Sequence, residues 1–383
     1  MDSIGRMGGW SGYPAFGPHP RNDVMITSLR LSNFGPLSSI QWDGLGRINL
    51  VIGSNGSGKT FLLKAIYASL RTLEEYRRGD EQRTASEILA DRLYWTFQAE
   101  RIGDLVTRGS AEPLKSHVSI DGHDFVYGFG RETTRQISSL ENHVAPRSSN
   151  SVFLPAKEVL SLHQIILKSR EQDRAFGFDD TYFDLARALR ITPTRGNDYR
   201  AFSKSRKDLE QVLGGSIEYD EGSGRWIFVK GRNRFPIGVT AEGIKKIAIL
   251  DTLLGNRYLD NHSIVLIDEP ESALHPSAIS RLLDIIAALA EAGLQFFLAS
   301  HSYFVVKKLL LIAQERSWSI PVLSGEEHAG DTIWNQNDLM EGMPDNQIID
   351  ESVRLYQQEV ELALRYPVIV LNDTMARKVG LIQ

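Results

Sequence analysis

Short apolar runs of strand length recur along the chain. Ile48-Asn49-Leu50-Val51-Ile52, Ser151-Val152-Phe153-Leu154, Ser263-Ile264-Val265-Leu266-Ile267 and Leu294-Gln295-Phe296-Phe297-Leu298-Ala299 each stop at Gly, Pro or polar residues and read as buried strands. Helical stretches lie between them. Phe61-Leu62-Leu63-Lys64-Ala65-Ile66 follows the first run, residues 157–213 follow the second, and Ile247-Ala248-Ile249-Leu250 precedes the third. Two segments alternate instead: 116–127 around Asp121-Gly122, and 217–229 around Gly222-Ser223-Gly224, both signals of hairpins. Residues 71–116 read as helical and charged, 131–150 as polar loop, and 348–356 as a closing helix. Strands alternating with helices predict an α/β fold, with the hairpins set apart as antiparallel β structure.

Composition narrows this picture. Hydrophobic residues at 42% and charged residues at 24% are ordinary for a soluble globular protein. Among the apolar runs none nears the roughly 18 residues a membrane span requires, so no membrane partner is expected. Met1-Asp2-Ser3-Ile4-Gly5-Arg6 lacks the apolar core of a signal peptide, which points to the cytoplasm. The chain has no cysteine, so disulfides and thiolate metal sites are excluded. A net charge of −5 gives no global pull toward nucleic acid, though a local basic patch stays open. Residues 1–23, rich in Gly and Pro, read as a flexible tail.

The chemistry concentrates where two of these strands end. Gly53-Ser54-Asn55-Gly56-Ser57-Gly58-Lys59-Thr60 is a complete G-x-x-x-x-G-K-[ST] loop between a strand and a helix. Its glycines let backbone N–H groups turn onto phosphate oxygens at a helix N-terminus. Asn55, Gly56, Ser57 and Gly58 are therefore expected to line ATP phosphates, Lys59 to reach the β- and γ-phosphates, and Thr60 to bind Mg²⁺. Asp268-Glu269 closes a buried strand, at the end where parallel sheets bind ligands. There Asp268 would hold Mg²⁺ and Glu269 would polarise the water that attacks the γ-phosphate.

Together with Ile26-Thr27-Ser28-Leu29-Arg30-Leu31-Ser32-Asn33-Phe34-Gly35 and Glu269-Pro270-Glu271-Ser272-Ala273-Leu274-His275-Pro276, these motifs resemble the ATP-binding-cassette ATPases. The resemblance is to their soluble branch, which includes RecF, SMC and the OLD-type defence ATPases. It covers about residues 24–70 and 235–305. It implies a P-loop NTPase of ABC type with an antiparallel β subdomain and an inserted helical subdomain. It divides the chain into a tail (1–23), a first part of the ATPase core (24–156), a helical subdomain (157–215), a second part of the core (216–305) and a C-terminal extension (306–383). It also implies a switch histidine at His301, and a signature loop in which Gly243 docks on ATP held by a second copy. Ala241 stands where that family has serine, and Pro155-Ala156-Lys157-Glu158 where it has a glutamine turn.

The function so implied is Mg²⁺-dependent ATP hydrolysis in a dimer or higher oligomer. The stretch beyond His301 is too short for the nuclease domain of OLD proteins, and no long heptad insertion is present. The expected partner is therefore a separately encoded nuclease or toxin in a bacterial anti-phage system, with a RecF-like DNA-repair ATPase as the alternative. Nucleic acid stays open as a partner through two basic clusters. Arg71, Arg77, Arg78, Arg83, Arg92, Arg101 and Arg108 intersperse with Tyr76, Tyr94, Trp95 and Phe97, and their acidic neighbours favour a solvated, ion-paired helix. Lys204, Arg206 and Lys207 with Arg195, Arg200, Arg232 and Arg234 form the second.

Overall fold

A computed structural model describes residues 25–78, 83–137, 139–191, 202–328 and 331–365. The tail expected at 1–23, and Arg195 and Arg200 of the second basic cluster, lie outside the described residues.

Strands β1 (Ile26–Phe34) and β2 (Leu37–Asp43) form a hairpin, followed by β3 (Ile48–Gly53), α1 (Lys59–Glu75) and α2 (Ala85–Phe97). Next come β4 (Leu114–Ile120), β5 (His123–Phe129), β6 (Ser139–Asn142) and β7 (Ser151–Leu154). Residues 157–215 hold α3 (His163–Glu171), α4 (Asp180–Leu189) and α5 (Ser203–Leu213). After them run β8 (Ser216–Asp220), β9 (Arg225–Lys230), β10 (Asn233–Pro236), α6 (Glu242–Gly255), β11 (Ile264–Asp268), α7 (Pro276–Glu291) and β12 (Gln295–Ser300). The last elements are α8 (Tyr303–Arg316), β13 (Pro321–His328), β14 (Asp331–Asp338) and α9 (Gln347–Arg365).

The central sheet runs β14-β13-β3-β12-β11-β7, parallel except for the outer β13–β14 pair. Its inner strands are apolar on both sides because both faces are covered. Along β11, Ile264 and Leu266 pack toward α1 and the antiparallel sheet, while Val265 and Ile267 pack toward the helices on the other face. The second sheet, β2-β1-β4-β5-β6, is antiparallel. Its β4–β5 turn puts Asp121 and Gly122 at φ 53° and 75°, as a two-residue hairpin of this hand requires. Gln295 ties the two sheets together, accepting from Ile26 N–H and donating to the Ile26 and Gly46 carbonyls.

Three expectations change. The 131–150 stretch is not all loop, because 139–142 pairs with β5 as an edge strand. The 217–229 hairpin gains a third strand, β10. The stretch from 306 onward is no appendage: its β13 lies beside β3 within the central sheet. Among the described residues no helix is long and apolar enough to cross a membrane.

Candidate functional site

The sheet order brings three strand ends together. β12 lies between β3 and β11, so the loop after β3, the acidic end of β11 and the tip of β12 open on one edge. Gly58 caps α1 at φ 99°, and a Cβ there would meet Leu37 Cδ2 at 2.8 Å. Only glycine fits this corner. Asn55 and Gly56 are exposed on the crest of the loop, and Ser57 is buried beneath it. Lys59 folds back under the loop, its ammonium donating to the Gly53 and Ser54 carbonyls at 2.8 Å each. Burial lowers its pKa, against the pull of Asp268, Glu269 and Glu271.

Thr60 Oγ1 donates to Asp268 Oδ2 at 2.8 Å, joining the phosphate loop to β11. Burial raises the Asp268 pKa, and the Thr60 hydrogen bond works against that rise. A hydroxyl and a carboxylate meeting at one point are hard oxygen donors that suit Mg²⁺. Among the described residues no cluster of three or more His, Asp or Glu could hold a metal unaided. Phosphate oxygens and water would complete the coordination, as Mg²⁺ prefers. The next residue, Glu269, sits at φ 48°, a left-handed conformation costing roughly 1–2 kcal/mol for a residue with a Cβ. That turn swings its carboxylate toward β12, where Oε1 lies 3.4 Å from His301 Nδ1. Both side chains are about a third or more exposed, Glu269 at 34% and His301 at 44%. A carboxylate and an imidazole thus face the same opening above Lys59 and Thr60.

The start of α6 braces this corner from below. Lys246 donates to the Asp268 and Glu269 carbonyls at 3.2 and 2.6 Å. Burial pushes its ammonium down to about 8, although Asp268, Glu271 and Glu269 pull the other way. Gly243 is buried within the same chain: a Cβ there would stand 2.5 Å from Leu274 Cδ2 and 2.7 Å from the Ala273 carbonyl. Packing against the 272–274 turn therefore already demands glycine here. His275 closes that turn by capping α7 ahead of Pro276, accepting from Ser277 N–H. A cavity of about 240 Å³ lies beside the site, lined by Pro155, Lys157, Glu158, Lys245, Lys246 and Ser272 among others.

The first basic cluster divides: Arg77, Arg78, Arg83, Arg101 and Arg108 are exposed, with Arg83 on Asp91 and Arg101 on Glu132 as a solvated, ion-paired surface has it, whereas two members turn inward. Arg71 and Arg92 are inside, at 12% and 11% exposure. Arg92 reaches Glu75 on α1 and Asp180 and Asp184 on α4, while Arg71 reaches Glu74, Glu75 and Asp184. Tyr67 Oη donates to Asp184, and Lys64 pairs with Asp179 at 2.6 Å. These charges lock α1, α2 and α4 together. In the second cluster, Arg206 pairs with Asp251 and Arg234 with Glu218. Sequence reasoning also passed over Glu271, whose Oε1 accepts from Ser300 Oγ and from His301 N–H. Its one legible signal was a second glutamate two residues past Glu269.

A family model described as "AAA domain, putative AbiEii toxin, Type IV TA system" matches residues 48–307, most of the chain and every motif of this site. A protein of Helicobacter pylori named "ATP/GTP phosphatase" is 22% identical over 339 residues, which cover 77% of this chain and 90% of that protein. Among solved structures, the Smc head bound to the C-terminal winged-helix domain of ScpA covers 82% of this chain and 98% of its own, at 16% identity and a TM-score of 0.49. An Smc head with an extended coiled coil, bound to the C-terminal domain of ScpA from Pyrococcus furiosus, covers 86% and 100%, at 14% identity and the same TM-score.

Proposed function

The chain belongs to the AAA-domain family that bears the AbiEii toxin description, and on that footing we propose an Mg²⁺-dependent ATPase of ABC type whose ATP-held pairs control a separately encoded effector. The observation that carries this reading is the Thr60–Asp268 hydrogen bond with the Glu269–His301 approach beside it. It joins a phosphate loop to an acid–imidazole pair across three neighbouring strands. The relative named ATP/GTP phosphatase supports the same chemistry.

The residues divide the work. Backbone N–H groups of Asn55–Thr60 hold the phosphates, and the α1 dipole adds to their pull. Lys59 leaves the Gly53 and Ser54 carbonyls for the β- and γ-phosphates, exchanging neutral acceptors for anionic ones. Thr60 and Asp268 would hold Mg²⁺, which would supply positive charge against the charge developing on the phosphate. Glu269 orients the attacking water and takes its proton, and His301 contacts the γ-phosphate. In a pair, the start of α6 in one copy would complete the site of the other. Because ATP turnover by itself has no output, the cycle must bias a partner, for which our reading is a nuclease or toxin of an anti-phage system.

Phosphate release from ATP by the purified chain tests this reading. It should require Mg²⁺, and Lys59→Ala should weaken ATP binding by roughly 100-fold, as loss of a charge-assisted contact implies. Magnesium-independent release, or a Lys59→Ala variant that binds ATP like the parent, would refute it. Turnover stimulated by DNA, without any effector, would favour the repair alternative.

A further inference from the structure

The turn after β11 holds a carboxylate that the hydrolytic steps above do not use. Glu271 is nine-tenths buried, its side chain 9% exposed. Its Oε1 accepts from Ser300 Oγ at 2.8 Å and from His301 N–H at 3.2 Å. The same oxygen lies 3.7 Å from His301 Nδ1. Its Oε2 is buried with no hydrogen-bond partner among the described residues. A carboxylate in a surface turn would stay in water, where it costs nothing; this one is sunk in the fold. Each of its bonds goes to the tip of β12, which carries His301. Ser300 Oγ in turn accepts from Ser302 N–H at 3.0 Å, so the corner is braced on both sides. The histidine ring therefore presents Nδ1 to two carboxylates, Glu269 at 3.4 Å and Glu271 at 3.7 Å.

The two carboxylates differ in what they can do. Glu269 is partly exposed and stands where water would approach. When it turns to that water it stops holding the imidazole. Glu271 has no such freedom, since its Oε1 is held by two donors. We propose that Glu271 is a positioning residue for His301, fixing the 300–301 corner through Ser300 Oγ and the His301 N–H and keeping a carboxylate facing Nδ1, so that Nε2 stays turned to the γ-phosphate while Glu269 serves the water. It acts through the histidine and touches no substrate. The inference rests on the ATPase reading.

A double-mutant cycle tests it on the full-length chain. Glu271→Ala should lower kcat roughly 10- to 100-fold, the range for supporting groups around a reactive ligand, with KM for ATP and nucleotide affinity unchanged. In a His301→Ala background the same substitution should have no further effect, because the group it acts through is gone. An equal loss in both backgrounds, or none in the parent, would overturn the proposal. If Glu271→Ala does not fold, Glu271→Gln keeps the volume and one acceptor. It should then give a smaller kcat loss that likewise vanishes with His301→Ala; persistence of that loss would overturn the proposal too. Ring ¹⁵N shifts of His301, assigned by subtraction of His301→Ala, supply a readout independent of turnover. Either Glu271 variant should move them toward those of a solvent-exposed histidine, and unchanged shifts would rule the role out. A parent that releases no phosphate would remove the ATPase reading alone, and the ring spectrum would then decide the positioning role.

Discussion

At its first turn α1 presents Lys59 and Thr60 to the edge of the central sheet; in its later turns it presents Tyr67, Arg71, Glu74 and Glu75 to α2 and α4. Both ends are rich in buried charge, and they hold it differently. At the far end each cation faces carboxylates. Burial opposes the Arg71 and Arg92 charges, yet Asp184 with Glu74 or Asp180 outweighs it, and both pKa values rise. At the near end the cations rest on neutral carbonyl oxygens. Burial prevails there, and the pKa values of Lys59 and Lys246 fall. A cation bound by opposite charge is committed to the fold. One resting on carbonyls gains by meeting an anion, so a phosphate can draw it away. One helix thus separates a structural store of charge from an exchangeable one.

The sharpest way to probe the exchangeable end is Glu269→Gln. It keeps shape and hydrogen bonding but removes the proposed base, so kcat should fall by roughly 10²–10⁴-fold while ATP still binds. Single-turnover kinetics with equilibrium binding would show it; unchanged turnover would transfer the role to another group. The committed end should respond in the opposite sense. Arg92→Met leaves Glu75 and Asp184 to Arg71 alone and Asp180 to Arg170 alone, a buried acidic group short of one cation, and should cost about 3–5 kcal/mol of stability in urea unfolding. ATP affinity per folded molecule should not change, and a matching loss of affinity would mean that the two ends of α1 are not separate. The smallest effect belongs to Lys246→Met. A buried ammonium already disfavoured by its surroundings is replaced by an apolar chain, so stability should shift by no more than about 1 kcal/mol. Losing the donor to the Asp268 and Glu269 carbonyls should relax the Glu269 turn and lower kcat about 10-fold. A large fall in stability with unchanged kcat would place Lys246 with the committed charges instead.

The near end was readable from sequence because its groups are carried by consecutive residues. Residues 53–60 and 268–269 announce themselves by spacing, and strands buried on both faces stand out as unbroken apolar runs. The far end was not, because its partners are distant in sequence. Arg92 meets Glu75, Asp180 and Asp184 at separations of 17, 88 and 92 residues, and a run of mixed charges reads as a wetted helix until α4 closes over it. Glu271 was hidden for the same reason, since only the return of β12 buries a turn carboxylate. β13 was missed because its apolar start, Pro321-Val322-Leu323, gives way through Ser324-Gly325 to Glu326 and Glu327, so a half-buried strand looks like a tail.

The place of β3 has a consequence for how the molecule is made. Its two neighbours in the sheet are β12 and β13, so among the described residues the strand leading into the phosphate loop pairs with residues 296–300 and 322–325. Emerging from the ribosome well before either partner, it must wait unpaired until residues 296–300 have followed it. Closing contacts over such separations is slow, and the waiting strand is apolar on both faces. A nascent chain thus exposes this strand to non-specific association over that interval, and its phosphate loop meets the end of β11 only once β12 has joined the sheet between them. The corner that carries Lys59, Thr60, Asp268 and His301 is therefore assembled last by the pairing of β12, however early the phosphate loop itself is made.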